Sequence, residues 1–335
     1  MDIRRLQTTG GSSLTVTLPK EWTAAMNLQK NDPVRVAPQP DGTLVISSRI
    51  SPEQDQRTKV LDASACGDAT FLFRTLIGCY IAGYSAITVQ SRRRLPPFVR
   101  TVVRDFTQMT IGQEVTEEIE TSIRIKDLLS PSELPFESTI KRTFVIVRSM
   151  HEDALTAIER GDTGLARDVI AHDRDVDRLH WLVARQTNMV MKDANLARKM
   201  GASPTEAQTY EVVSRILERI GDHAVRIATN AVALADPPVG PEVAASLRSA
   251  SAFSIGVLDH AMASFVSRDT GLANRAIEEV REAEALCTEI HPIALSWPAD
   301  RAVALGYVAE SIRRLGEYSG DIAETVINRA ADREA

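Results

Sequence analysis

Glu218 and Asp222 stand four residues apart in the run Arg215-Ile216-Leu217-Glu218-Arg219-Ile220-Gly221-Asp222-His223-Ala224. On a helix such a pair lies on one face, one side chain above the other. Two like charges at that spacing repel, which costs stability unless a cation or neighbouring arginines compensate. A second pair at the same spacing, Asp173 and Asp177, lies in Asp173-Arg174-Asp175-Val176-Asp177. The midpoint between the two motifs falls near residue 197, so antiparallel helices joined there set all four carboxylates at one level. Four such groups suit a hard or borderline divalent or trivalent cation such as Mg, Mn, Fe or Zn. His180, one turn past Asp177, adds a nitrogen. Relative to the apolar stripe of Val213, Ile216, Ile220, Ala224 and Ile227, Glu218 and Asp222 point to the opposite side, at about 100° per residue. The acids therefore belong to the surface of a helical body. The competing reading is a solvated set paired with Arg215, Arg219 and Arg226, worth about 0–1 kcal/mol per pair.

The elements that must position these acids are long amphipathic helices, expected over 135–160, 163–193, 203–235, 241–268, 271–292 and 299–331. Breaks fall at Gly161-Asp162, Gly201-Ala202-Ser203-Pro204, Asp236-Pro237-Pro238, Asp269-Thr270-Gly271 and Trp297-Pro298. The six helices form two sets of three. Leu217-Glu218-Arg219-Ile220-Gly221-Asp222 aligns with Gly316-Glu317-Tyr318-Ser319-Gly320-Asp321, a diverged internal repeat. Tandem all-α three-helix bundles, residues 135–238 and 239–335, are the natural architecture. The second acidic set is thinner: Glu317 and Asp321 face Glu284, with Val280 where the first set has Asp173 and Glu282 as a substitute.

Nothing here has the pattern of an enzyme. Oxidative di-metal bundles use Glu-x-x-His projecting into the core, and no histidine of this chain has a glutamate three residues before it. A phosphate-cradling Gly-rich Lys-Ser/Thr loop and a nucleophile elbow are both missing.

Ahead of the helices the period changes. Residues 50–134 predict a small α+β, ferredoxin-like sandwich with two helices on one face of a four-stranded sheet. Strands fall around 58–61, 86–89, 114–120 and 122–127, and helices at 68–83 and 96–109. Phe71, Leu72, Thr75, Leu76 and Cys79 are expected to face inward, and Arg92-Arg93-Arg94 marks a solvated loop. Residues 1–49 read as short strands around turns, with Asp41-Gly42 as a hairpin signal. So short a β segment buries little apolar surface alone, and strands from a second chain are expected.

The bulk properties fit this division. The chain has 335 residues and a net charge of −6. Residues 1–49 carry six basic against four acidic side chains, whereas residues 135–335 carry 23 against 30. A mildly basic head on an acidic body implies different partners at the two ends. Three scattered cysteines and no Cys-x-x-Cys spacing argue for reduced thiols. No signal-peptide core or membrane-length apolar run occurs, so a soluble, cytoplasmic protein without membrane insertion is expected.

The repeated Glu-x-x-Gly-Asp motif and its helical triplets resemble the PhoU family of phosphate-uptake regulators, over about 200 residues. That resemblance implies metal sites on the acidic pairs: Asp173, Asp177, Glu218 and Asp222, then Glu284, Glu317 and Asp321. The N-terminal elements Gly10-Gly11-Ser12-Ser13, Leu18-Pro19-Lys20-Glu21-Trp22 and Leu28-Gln29-Lys30-Asn31-Asp32 resemble the SpoVT/AbrB family, whose swapped-hairpin β-barrels are DNA-binding dimers. Asn31 stands where that family has glycine, and asparagine tolerates the same left-handed backbone. Carried over, Arg4, Arg5, Gln7, Thr9, Ser12, Ser13 and Lys20 face DNA. Together the resemblances imply a dimeric (or higher homo-oligomeric) phosphate-responsive transcriptional regulator acting on promoter or operator DNA. The alternative is a non-DNA-binding adaptor of the phosphate ABC transporter components.

Overall fold

The structure is a computed structural model that describes residues 3–11, 13–38, 42–48 and 57–333. Two compact units divide it, Met1–Arg57 and Thr58–Ala335.

In the first unit, β1 (Gln7–Thr9) and β2 (Ser13–Thr15) pair antiparallel, with Thr8 opposite Leu14. Gly10 and Gly11 turn between them at φ +65° and +95°, a region open to glycine because it has no Cβ. After α1 (Lys20–Ala25), β3 (Arg35–Pro38) and β4 (Leu44–Ser47) form a second antiparallel pair. Asn31 adopts the left-handed backbone, at φ +76°. Gly42 is left-handed too, while its partner in the expected turn, Asp41, lies outside the described residues. Among the described residues of this unit Ala37 is the one buried side chain, and Leu14 is 64% exposed, Leu44 54% and Val36 52%.

The second unit opens with a mixed sheet in the order β5 (Thr58–Asp62), β6 (Ala86–Gln90), β8 (Ser122–Asp127), β7 (Gln113–Glu118). β5 and β6 run parallel because α2 (Ala69–Ile81) crosses between them; the other pairs are antiparallel. α2 and α3 (Pro97–Met109) contribute Leu72, Leu76, Tyr80, Val103 and Phe106 to a core with Ile87, Val89, Ile123 and Ile125. Phe71 departs from the expected phase and is exposed, because Leu72 and Leu76 take the inward stripe.

The helical body comprises α4 (Phe136–Arg160), α5 (Thr163–Val190), α6 (Ala194–Met200) and α7 (Pro204–Leu234), followed by α8 (Pro241–Ser267), α9 (Thr270–Thr288), α10 (His291–Leu295) and α11 (Ala299–Arg333). Side chains set the starts: Asp162 accepts from Gly164 and Leu165 N–H, Asp269 from Leu272, and Ser203 with Glu206 closes a capping box on α7. The short α6 occupies a connection expected to be open chain, and the helix expected over 271–292 ends at Thr288, with α10 starting anew at His291. α4, α5 and α7 pack on one another, as do α8, α9 and α11, and the triplets join through α7–α11 and α4–α8. One continuous apolar core runs through both.

A polar seam crosses that junction. His151 Nε2 lies 3.1 Å from Ser251 Oγ, and His223 Nδ1 lies 3.2 Å from Ser311 Oγ. Burial holds both imidazoles down, to about 3 and about 4 respectively, so they are neutral at physiological pH. No described helix is long and apolar enough to cross a membrane, and Cys66, Cys79 and Cys287 are buried free thiols.

Candidate functional site

The four acids of the first triplet come from α5 and α7, which pack along each other. Gly221, inside the Glu-x-x-Gly-Asp motif, sits at their contact: a Cβ there would meet Val176 Cγ1 at 3.4 Å and Val147 Cγ1 at 3.6 Å, ordinary packing distances. Val176 lies between Asp173 and Asp177, so the same contact levels the two acidic pairs. The motif glycine is thus a packing residue, and the acids flank it.

Asp173, Asp177 and Glu218 are half-buried and Asp222 is exposed at the rim. Their proximity is written in their protonation. Burial first, then Asp222, Asp177 and Asp173, pushes Glu218 up to about 7. Burial, with Asp173 and Asp222, pushes Asp177 up to about 6. Asp173 is raised by burial and by Asp222, and Asp222 by burial against the lowering influence of Arg226. These are under-compensated carboxylates: Arg219 and Arg226 offset them only in part. Such a donor set suits a hard cation. As the side chains stand, no group of three or more His, Cys, Asp or Glu residues among those described is gathered to hold a metal ion. His180 is engaged elsewhere, with Nδ1 3.1 Å from Ser214 Oγ.

The second triplet handles its acids differently. Its motif glycine also serves packing, since a Cβ on Gly320 would meet Val280 Cγ2 at 3.0 Å. Here, however, Arg313 and Arg314 fill the acidic set. Arg313 donates through Nε to Glu310 at 2.8 Å and through Nη1 to Glu317, with Glu284 at 3.6 Å. Arg314 donates to Glu310 at 2.9 Å and to Glu317 at 3.0 Å. These hydrogen bonds pull Glu310 down to about 2. Asp321 stays outside the network, raised by burial and by Glu324 and Glu317. Glu284 and Glu317 therefore already have cations within 4 Å, whereas among the described residues Asp173, Asp177, Glu218 and Asp222 have only the partial offset of Arg219 and Arg226. The signal was in the chain: Glu310-x-x-Arg313-Arg314-x-x-Glu317 has the three- and four-residue spacing of helical ion pairs.

In the N-terminal unit, Arg4, Arg5, Gln7, Thr9, Ser13 and Lys20 are all exposed, and Ser12 lies outside the described residues. Arg4 donates to Thr17 Oγ1 at 3.0 Å, and Thr15 donates to the Gln7 carbonyl at 3.2 Å. The β1–β2 hairpin thus carries basic, amide and hydroxyl groups outward.

One buried cation escapes a reading by motif. Arg185 of α5 is 3% exposed and reaches into the α+β layer. It donates to the Tyr80 and Tyr84 carbonyls at 2.5 and 3.0 Å and to Asp127 Oδ2 at 2.6 Å, with its guanidinium 4.8 Å from the Tyr80 ring centre. A charge within the apolar run Leu182-Val183-Ala184-Arg185 was its signal.

Comparison with known proteins places this architecture in a class. A model of the PhoU domain matches residues 140–231. A model described as antidote-toxin recognition MazE, bacterial antitoxin, matches residues 7–55. The chain is 24% identical over 182 residues to the phosphate-specific transport system accessory protein PhoU homolog of Xylella fastidiosa, covering 52% of this chain and 75% of that one. With the homolog of Aquifex aeolicus the identity is 27% over 176 residues, covering 50% and 77%. The crystal structure of PhoU from Pseudomonas aeruginosa superposes with a TM-score of 0.48 at 20% identity, over 57% of this chain and 93% of that one. The molecule is a multidomain protein with a helical body and a small β-rich N-terminal unit. The chain carries a PhoU domain over residues 140–231 and a MazE/AbrB-type antitoxin domain at its N-terminus, over residues 7–55.

Proposed function

We propose that this protein is a phosphate-responsive transcriptional regulator of phosphate uptake, binding DNA through its N-terminal unit and a cation or partner protein through its helical body. The observation that carries the reading is the union, in one chain, of a MazE-type domain with a PhoU domain. The outward groups of the first hairpin, Arg4, Arg5, Gln7, Thr9 and Ser13, with Lys20 of α1, supply phosphate contacts and positioning bonds. The uncovered apolar side chains of the same unit support a swapped-hairpin barrel completed by a second copy. In the body, Asp173, Asp177, Glu218 and Asp222 would hold a hard divalent or trivalent cation, their side chains turning inward to do so. That ion would neutralise charge that Arg219 and Arg226 offset only in part. The two helical triplets serve as the bundles of that body, and two arrangements of them would couple it to the head.

A salt titration of binding to fragments upstream of phosphate-transporter genes tests this. Contacts to about six phosphates lower affinity by roughly 10³-fold or more between 50 and 200 mM salt, and Arg5→Ala flattens that slope by roughly one unit. Absence of binding even at low salt would leave the second reading, an accessory protein of the phosphate transport system whose barrel only dimerises. The names of the relatives favour that reading, since each is called an accessory protein of that system.

A further inference from the structure

A cavity of about 210 Å³ lies between the start of α7, the end of α8 and the last turns of α11. Phe265 and Val326 make its floor, both buried. Thr209 and Thr325 also line it, but their hydroxyls donate to the carbonyls of Thr205 and Asp321 on their own helices. The donors left at the cavity are the guanidinium groups of Arg268 and Arg329.

Both guanidiniums meet one carboxylate, Glu206: Arg329 in a direct hydrogen bond and Arg268 at 3.8 Å. Among the described residues neither has another acidic partner. The other oxygen of Glu206 accepts the Ser203 N–H at 3.1 Å in the capping box. Two cations thus share one anion beside an apolar cavity, with N–H donors to spare. Guanidinium offers no acceptor, so the complementary head group is an anion.

Arg268 adds a second observation. It ends α8 in the left-handed conformation, φ +61°, where an L side chain is disfavoured and glycine is usual. The matching position at the end of α4 is Gly161, at φ +63°. The second repeat keeps arginine where glycine is cheaper, and that arginine lines the cavity.

We propose that this cavity binds a medium-chain monocarboxylate, its aliphatic tail on Phe265 and Val326 and its head between Arg268 and Arg329. The volume equals roughly seven water-sized groups, which fits a chain of about six to eight carbons. Because α7 belongs to one triplet and α8 and α11 to the other, the ligand bridges the two.

Calorimetric titration of the full chain with octanoate, octanol and inorganic phosphate tests the site. Octanoate binds one to one, octanol at least about tenfold more weakly, and phosphate does not displace octanoate. Arg268→Gly removes one guanidinium and suits the backbone, so it weakens octanoate at least about tenfold without lowering the melting temperature. Val326→Phe fills the cavity and abolishes binding. Equal affinity for octanol, displacement by phosphate, or unchanged octanoate binding in Arg268→Gly overturns the proposal.

Discussion

Glu218 sets the electrostatics of the first acidic set. Its folded value of about 7 stands above the ordinary 4.5, so the folded state holds that proton more tightly than the unfolded chain does. The resulting stability is complete below about pH 4.5 and is lost as pH rises toward 7. In chelator, Glu218→Gln should therefore gain about 1–2 kcal/mol on the wild type between pH 5 and pH 8, after discounting for solvent screening. Urea unfolding at the two pH values measures it; parallel pH profiles for the two proteins would show that neither burial nor the neighbouring acids raise Glu218. His151 acts with the opposite sign, its contribution falling as pH drops from about 6.5 toward 3. Because both proteins retain His151, their difference isolates Glu218. Glu317, its counterpart in the repeat, hydrogen-bonds to Arg313 and Arg314. Similar motifs thus leave one set of acids raised by burial and mutual repulsion and bind the other to arginines internally.

At the scale of elements, the α+β layer is tied to α5 by Arg185 and by the edge-to-face contact of Phe73 with Trp181, ring centres 6.4 Å apart. Removing one member of a buried ion pair strands the other. Arg185→Met should cost about 3–5 kcal/mol, and pairing it with Asp127→Asn should recover much of that loss. A double-mutant cycle by denaturant unfolding reads the coupling; additive losses would mean the pair contributes nothing of its own. Much of this element structure is legible in the chain. Period-3.6 stripes and the caps Asp68, Asp162, Ser203 and Asp269 mark α2, α5, α7 and α9, and β-branched alternation marks β5 and β6. The short α6 is not, because seven residues carry too little periodicity to announce a helix. Nor is the role of Arg185: its partners lie 58 to 105 residues away, and only tertiary packing joins them. The acidic pairs are visible as spacing, but whether arginines already satisfy them depends on rotamers that spacing does not specify.

For the whole molecule, the first unit presents Leu14, Val36 and Leu44 to solvent and buries only Ala37 among its described residues. A single β unit of this size lacks the surface to stabilise itself. Val36→Asp in the full chain should convert a dimer to a monomer in sedimentation velocity, with the denaturant midpoint of the helical body unchanged. A dimer that persists in the variant would place self-association on the body instead. Completion of that core by a second copy, as proposed, would also make gene dosage a variable. While association is incomplete, the assembled form follows the square of the amount of chain, so halving that amount removes about three-quarters of it. On the proposed function, abundance would then be an input of its own: a cell that dilutes this protein by growth would silence the proposed DNA-binding head with no signal passing through the helical body.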